Sequence, residues 1–263
     1  MRIGFFQFYP IFGDIQTNVD HVLKSLSRVS ADLIVLPEFF NTGYQFVSKK
    51  EVKELSEPIP NGYTSKRLSQ WARENGIFLV AGLAEQEGEQ FYNSAILVGP
   101  QGVFSVYRKI HLFNEETLWF SPGNKNFEIV EVKGTRVGII ICFDWIFPEA
   151  VRTLAIKGAD LICHPSNLVL PYCPNAMVTR AIENRVFTIT ANRIGSEERN
   201  GKEKLTFIGQ SEIVSPEGQI LHRASENQEE FHEVQINPLE ARKKQINPYN
   251  HLLNDRKPER YTS

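Results

Sequence analysis

The chain has 263 residues, 41% of them hydrophobic and 23% charged, and 29 basic residues against 31 acidic ones leave a net charge of −2. That length can bury a sizeable core, and the balanced, dispersed charge gives no electrostatic footprint for nucleic acid. No apolar run approaches the roughly 20 residues of a membrane span, and three cysteines are too few, and odd in number, for a disulfide framework.

Residues 2–9 alternate like a strand, without the pattern of a signal peptide. With the small cysteine number, this predicts a reducing, cytoplasmic setting. From Thr17 onward, Val19, Val22, Leu23, Leu26 and Val29 fall at helical spacing, with Thr17 or Asn18 as the expected N-cap. Residues 33–36 form a second short buried strand, stopped by Pro37 and followed at once by Glu38. Strand, helix, strand favours a parallel crossover. A helix is expected over 64–74, closed by Asn75-Gly76 where a left-handed residue is wanted, and a strand over 77–83.

Residues 94–98 and 103–107 flank Gly99-Pro100-Gln101-Gly102, which reads as a hairpin turn. The same chemistry returns at Ser215-Pro216-Glu217-Gly218, and two such hairpins suggest a two-sheet sandwich. Between them, residues 137–141 are apolar or glycine without helical period, as in a strand buried on both faces, and the run ends on Cys142. Helices are expected over 148–157 and from about 174 to 184, strands over 160–164 and 186–191, and a loop over 165–174. The polar stretch after Pro238 should lie on the surface or on a partner. No linker divides the chain, so it reads as one domain, 1–263, with 238–263 a C-terminal tail.

Three reactive residues follow three separate strands: Glu38, Lys109 and Cys142. If those strands lie side by side with compatible direction, a carboxylate, an ammonium and a thiol converge where open α/β sheets place their chemistry. Lys109 and the following helix start would then lower the thiol pKa. Glu38 would act as the base, and Lys109 or the Phe143 N–H would hold an oxyanion. Taken singly, each residue has a plainer reading: a core cysteine, a surface carboxylate and a solvated lysine beside Arg108. Cys163 reads as core and Cys173 as an incidental loop thiol. His111 and His164 are alternative bases for the thiol. A metal site from Cys163, His164 and Cys173 lacks zinc-ligand spacing, so no metal or cofactor is assigned.

Taken together, the segments resemble the nitrilase superfamily of carbon–nitrogen hydrolases. The resemblance rests on Leu36-Pro37-Glu38 with Thr42-Gly43-Tyr44, Tyr107-Arg108-Lys109-Ile110-His111-Leu112-Phe113, and Ile140-Ile141-Cys142-Phe143-Asp144. His164-Pro165, residues 180–185, Ala191-Asn192-Arg193-Ile194-Gly195 and the second hairpin turn extend it over nearly the whole chain. It implies an α/β four-layer α-β-β-α sandwich and a catalytic triad on Glu38, Lys109 and Cys142. An accessory glutamate is also implied, with Glu116 matching best and Glu115 the alternative. Arg180, Glu183 and Asn184 are taken as a structural network fixing the site wall.

The implied reaction is hydrolysis of a small amide through a cysteine thioester, with nitrile hydrolysis as the alternative. A non-catalytic binding or scaffold member of the fold is the competing class. Phe143-Asp144 after the nucleophile, where nitrile-hydrolysing members commonly carry Trp-Glu, leans towards amides. The loop 166–174, with Asn167 and Tyr172, should shape the pocket together with Tyr44. That loop carries no lysine or arginine, which favours a neutral or aliphatic small amide. The resemblance further implies a homodimer or higher homo-oligomer, with the tail at a subunit interface.

Overall fold

In a computed structural model, which describes residues 1–261, the chain opens with β1 (Arg2–Gln7), α1 (Ile15–Ser25) and β2 (Leu33–Val35). Then come α2 (Lys49–Leu55), α3 (Tyr63–Asn75), and the meander β3 (Phe78–Glu87), β4 (Gln90–Gly99) and β5 (Gly102–Arg108). A short α4 (Glu116–Trp119) precedes β6 (Ile129–Val132) and β7 (Thr135–Ile139). After a 3₁₀ turn at Cys142–Ile146 come α5 (Pro148–Ile156), β8 (Leu161–Pro165), α6 (Cys173–Asn184) and β9 (Phe187–Ala191). A small ribbon, β10 (Ser196–Glu197) with β11 (Leu205–Thr206), leads to β12 (Glu212–Val214), β13 (Ile220–Arg223) and β14 (Glu230–Gln235). The tail forms a second ribbon, β15 (Gln245–Asn247) with β16 (Asn250–His251).

Two six-stranded sheets result, ordered β14-β1-β2-β3-β4-β5 and β13-β12-β9-β8-β7-β6. β1, β2 and β3 are parallel, as are β7, β8 and β9, and helices connect each consecutive pair. Alternation along the strands decides which side chains meet. Ile3, Phe5, Leu33, Val35 and Val80 of the first sheet share one core with Val137, Ile139, Leu161, Cys163, Phe187 and Ile189 of the second. The other face of the first sheet packs Ile34, Leu36, Leu79 and Ala81 on Val19, Val22, Leu68 and Trp71 of α1 and α3. On the second sheet, Gly138 faces α5: a Cβ there would lie 2.9 Å from the Leu154 side chain. The layers are therefore helix, sheet, sheet, helix, the α-β-β-α sandwich that the motifs imply.

Several local expectations are corrected. The strand before the cysteine is β7, two residues earlier than read, and Ile140 only continues its pairing through one hydrogen bond to the Cys163 carbonyl, 3.1 Å. The cap of α1 is Asp14, whose carboxylate accepts from the Thr17 N–H, because the helix begins before its apolar stripe does. Three edge or exposed elements, α2, β6 and β14, carry weak periodicity and escape the sequence reading. Cys173 is not a loop thiol but a fully buried residue opening α6. The tail is not wholly on the surface. Ala241 is buried, and Lys244 donates to the carbonyls of Asn184 and Arg185 at the end of α6, 2.8 and 2.7 Å.

Candidate active site

Glu38, Lys109 and Cys142 do converge, but not from neighbouring strands. β2 and β5 lie in one sheet with β3 and β4 between them, and β7 lies in the other. Because β4 runs antiparallel to both β3 and β5, the ends of β2 and β5 point the same way. The site is thus built across the two sheets.

Each reactive residue leaves its strand through a constrained turn. Glu38 lies so close over β3 that a Cβ on Gly82 would stand 2.5 Å from the Glu38 Cα, and Phe39 next to it has φ +47°. Lys109 is held by its own backbone: its N–H donates to the Asn93 carbonyl and its carbonyl accepts from Gly123, both 2.8 Å. Arg108 pins the end of β5 through the buried Glu85 carboxylate, 2.5 and 2.9 Å, and through the Tyr92 ring below its guanidinium, 3.9 Å. Cys142 has φ +39°, in the left-handed region that non-glycine residues rarely occupy. The turn that follows holds it there. Asp144 accepts from the Ile141 N–H at 2.9 Å, the Tyr107 hydroxyl at 2.7 Å and the His111 ring at 2.7 Å. Arg180 on α6 donates to the carbonyls of Trp145 and Ile146, 3.1 and 3.3 Å, so the helix network expected at the site wall closes the far end of the same turn. The Phe143 N–H is among the first N–H groups of the turn, which have no partner within it.

At the centre, Lys109 Nζ donates to Glu38 Oε1 and to Glu116 Oε1, both 2.8 Å, with all three side chains buried. Asn93 on β4 adds a donor to Glu38 Oε1 at 2.6 Å and to Glu116 Oε2 at 3.3 Å. Tyr44 donates its hydroxyl to Glu116 Oε1, 2.8 Å. Glu38 Oε2 is buried with no hydrogen-bond partner. Asn167 donates its side-chain amide to the Glu38 carbonyl, 2.9 Å. Its backbone N–H faces the Cys142 thiol. Of the two candidate glutamates, Glu116 reaches Lys109, while Glu115 pairs with Lys202 at 2.5 Å.

The electrostatics reverse one expectation. Burial raises the Cys142 pKa well above its ordinary value, and the Glu38 charge adds to this; Lys109 opposes both without overcoming them, because its ammonium already serves two carboxylates. The direction favours the neutral thiol over the thiolate. Burial also raises Glu38, with Glu116 adding to the shift and Lys109 and Asn93 resisting it. Burial works against the charge of Lys109, but Glu116 and Glu38 more than offset it, so the ammonium persists. Burial drives His164 down to about 4. Neutral His164 donates from Nε2 to the Cys142 carbonyl at 2.9 Å, which leaves Nδ1 to accept from Thr190. It braces the turn and makes no bond to the thiol.

A cavity of about 140 Å³ opens over Glu116 and Tyr44. Its walls carry the aromatic Phe46, Phe113, Trp119 and Phe120 and the charged Glu115, Lys202 and Glu203, and Val169 contributes from the loop 166–174. Tyr172 is not among its lining residues; it is 66% exposed. The sequence reading missed Asn93, which lies inside a strand with no local signal, and Lys202, which enters the cavity from the β10–β11 connection. It also quoted two motifs without linking them. Arg193 forms a buried ion pair with Glu197, whose carboxylate accepts from the backbone N–H groups of Tyr44 and Gln45, 3.1 and 2.6 Å. Gly43 is required there, since a Cβ would fall 2.8 Å from Glu197 Oε1. The two motifs form one device that aims Tyr44 at Glu116.

A buried glutamate, lysine and cysteine at the seam of an α-β-β-α sandwich define a class of hydrolase-like sites with a thiol at the centre. Residues 2–244 match the carbon-nitrogen hydrolase family, and the chain belongs to it. It is 45% identical to a nitrilase of Pyrococcus abyssi over 99% of both chains. It is 35% identical to an (R)-stereoselective amidase of Pseudomonas sp over 87% of this chain and 82% of the relative. Among solved structures, an amidase from Nesterenkonia sp. superposes with a TM-score of 0.81 at 30% identity, covering 98% of this chain and 94% of that one. Another structure of that amidase carries the acetamide moiety of fluoroacetamide on its active-site cysteine.

Proposed function

We propose that the protein hydrolyses a small non-peptide amide to a carboxylic acid and ammonia or an amine, through a thioester on Cys142. The observation that carries this reading is the Glu38 carboxylate. Oε1 is held by Lys109 and Asn93, while Oε2 is buried and unpartnered. A desolvated carboxylate with one fixed and one free oxygen is suited to move a proton.

In this mechanism Glu38 takes the thiol proton as Cys142 attacks the amide carbon. Lys109 Nζ and the Phe143 N–H hold the oxygen that becomes negative. Collapse of the tetrahedral intermediate breaks the C–N bond, and Glu38 passes its proton to the departing nitrogen. Glu38 then takes a proton from water as it attacks the thioester, and returns that proton to the Cys142 sulfur as the C–S bond breaks and the acid leaves. Glu116 orients Lys109 and, through its charge, keeps the proton affinity of Glu38 high. Asn167 fixes Glu38 from behind through the Glu38 main-chain carbonyl and is the loop residue assigned to the substrate. No metal or organic cofactor enters any step.

The cysteine adduct of the Nesterenkonia amidase supports a nucleophilic role for Cys142. A second reading, hydrolysis of small aliphatic nitriles, is favoured by the name of the Pyrococcus relative. Asp144 distinguishes the two poorly, since it is buried in the turn and points at Tyr107, His111 and Ile141. The cavity's aromatic walls suit the carbon skeleton of a compact acyl group, while Lys202 and Glu115 put charged groups beside it. An ammonia-release screen over small amides, carbamoyl compounds and nitriles tests the reading. Release from amides with none from nitriles supports it, and the reverse pattern overturns it in favour of the second.

Among the described residues, no helix is long and apolar enough to cross a membrane, and the cysteines are all free. Free thiols are what a reducing compartment such as the cytoplasm keeps, and one family match over residues 2–244 supports a single domain. Beyond Lys244 the tail bears an exposed Ile246 and a Tyr249 that is 91% exposed. These support a homodimer or higher oligomer in which residues 247–261 of the tail contact a neighbouring copy. Sedimentation as a monomer at micromolar concentration would refute it.

A further inference from the structure

At the edge of the sandwich remote from β5 in strand order, the two sheets meet through three side chains that catalysis does not use. His222 stands on β13, the edge strand of the second sheet, and Glu230 and His232 stand on β14, the edge strand of the first. Residues two apart on a strand share a face. His232 is paired with Phe5 and His222 with Ile213, both core residues, so all three side chains point into the seam between the sheets. The imidazoles lie with ring centroids 3.4 Å apart and planes 9° apart, backed by the Phe5 ring at 6.0 and 6.4 Å. His222 Nε2 meets Glu230 Oε1 at 2.5 Å. One donor atom from each residue lies within 4.8 Å of the other two, and all three residues are partly open to solvent.

We infer that His222, Glu230 and His232 form a binding site for a divalent transition cation of the zinc class, which clips the open edges of the two sheets together. The donor set is two imidazoles and one carboxylate, the combination that takes zinc with a fourth position left for water. Both imidazoles are required neutral. Donors bound to a tetrahedral zinc lie about 3.3 Å apart. Seating the ion therefore requires His222 and Glu230 to part slightly and the stacked rings to splay. Partial exposure makes those rotations possible.

The cation's expected role is mechanical. It would join two strands that no backbone hydrogen bond connects, since β13 and β14 belong to different sheets. Sequence spacing hides the site, because one ligand and the other two come from different layers.

The test uses full-length protein stripped with a chelator and carrying Cys142→Ala, so that the catalytic thiol cannot take the metal. Zinc chloride, and cobalt chloride as a spectroscopic stand-in, are titrated into it. One equivalent binding at micromolar concentration, a rise in Tm, and a visible cobalt spectrum of tetrahedral type are expected. His232→Ala and Glu230→Gln should each weaken binding by tenfold or more and remove the Tm rise. Glu230→Gln keeps a hydrogen-bonding partner for His222, so it reports ligation even if the histidine variant folds poorly. Binding only at millimolar concentration, or unchanged stoichiometry and affinity in both variants, overturns the site.

Discussion

Lys109 Nζ lies 2.8 Å from Glu38 Oε1, and the second oxygen of that carboxylate is buried without a partner. One carboxylate thus has an anchored oxygen and an open one, the arrangement the proposed mechanism uses. Glu38→Gln keeps the shape and the contacts to Lys109 and Asn93 but removes the basic oxygen. Its kcat should fall by about 10²–10⁴-fold, with Tm nearly unchanged. A kcat within a few-fold of the parent would exclude Glu38 as the base.

The pH dependence follows from the same carboxylate. Burial and Glu116 raise the Glu38 pKa above its ordinary 4.5. A base works only when ionised, so if Glu38 has that role kcat/KM should fall as pH drops through a value above 4.5. Glu116→Gln removes a neighbouring negative charge and should move that acid limb to lower pH. Glu115→Gln, whose carboxylate meets Lys202 instead, should leave the limb where it is. A profile of kcat/KM against pH for the three proteins separates these outcomes.

How much of this was legible in the sequence varied with the physics. The strands 33–36, 77–83 and 160–164 declare themselves because burial on both faces demands continuous apolar runs. Edge strands such as β14, half exposed, show no such run. Glu38, Lys109 and Cys142 are readable as strand-end residues, but the sheet each strand joins depends on pairing between distant segments. The condition of side-by-side strands is not met, since β2 and β5 lie in one sheet and β7 in the other. The thiol's electrostatics were also out of reach. Lys109 is a cation near Cys142, yet only the structure shows it already committed to Glu38 and Glu116. Asn93 and Lys202 gave no signal, since their roles depend on what faces them.

Gly82 tests how tightly the base is placed. A Cβ there would meet the Glu38 Cα at 2.5 Å and the Pro37 carbonyl at 2.9 Å, and backbone cannot yield as a flexible side chain can. Gly82→Ala should cost about 1–3 kcal/mol of stability and reduce kcat more than it raises KM. Denaturant unfolding and steady-state kinetics on one preparation check both.

Asp160 is a structural counterpart. Its fully buried carboxylate receives Arg136 and Arg242, 2.9 and 2.8 Å, tying the tail to β7. Burial alone would raise its pKa, but hydrogen bonds from Arg242 and Arg136 hold it below the ordinary 3.8. Its stabilisation is therefore complete above pH 3.8 and lost as pH falls through the lower folded value. Asp160→Asn should lower the unfolding free energy by about 1–3 kcal/mol at neutral pH, a loss that shrinks in strong acid. Urea unfolding at neutral and strongly acidic pH measures the difference.

The central claim is that Cys142 carries the acyl group. Intact-protein and peptide mass spectrometry after rapid acid quenching, with a substrate from the amide screen, addresses it directly. The account predicts a mass increase equal to the acyl group on the peptide containing Cys142, absent from Cys142→Ala, which releases no ammonia. Turnover at the normal rate by Cys142→Ala, or an adduct confined to Cys163 or Cys173, would contradict it.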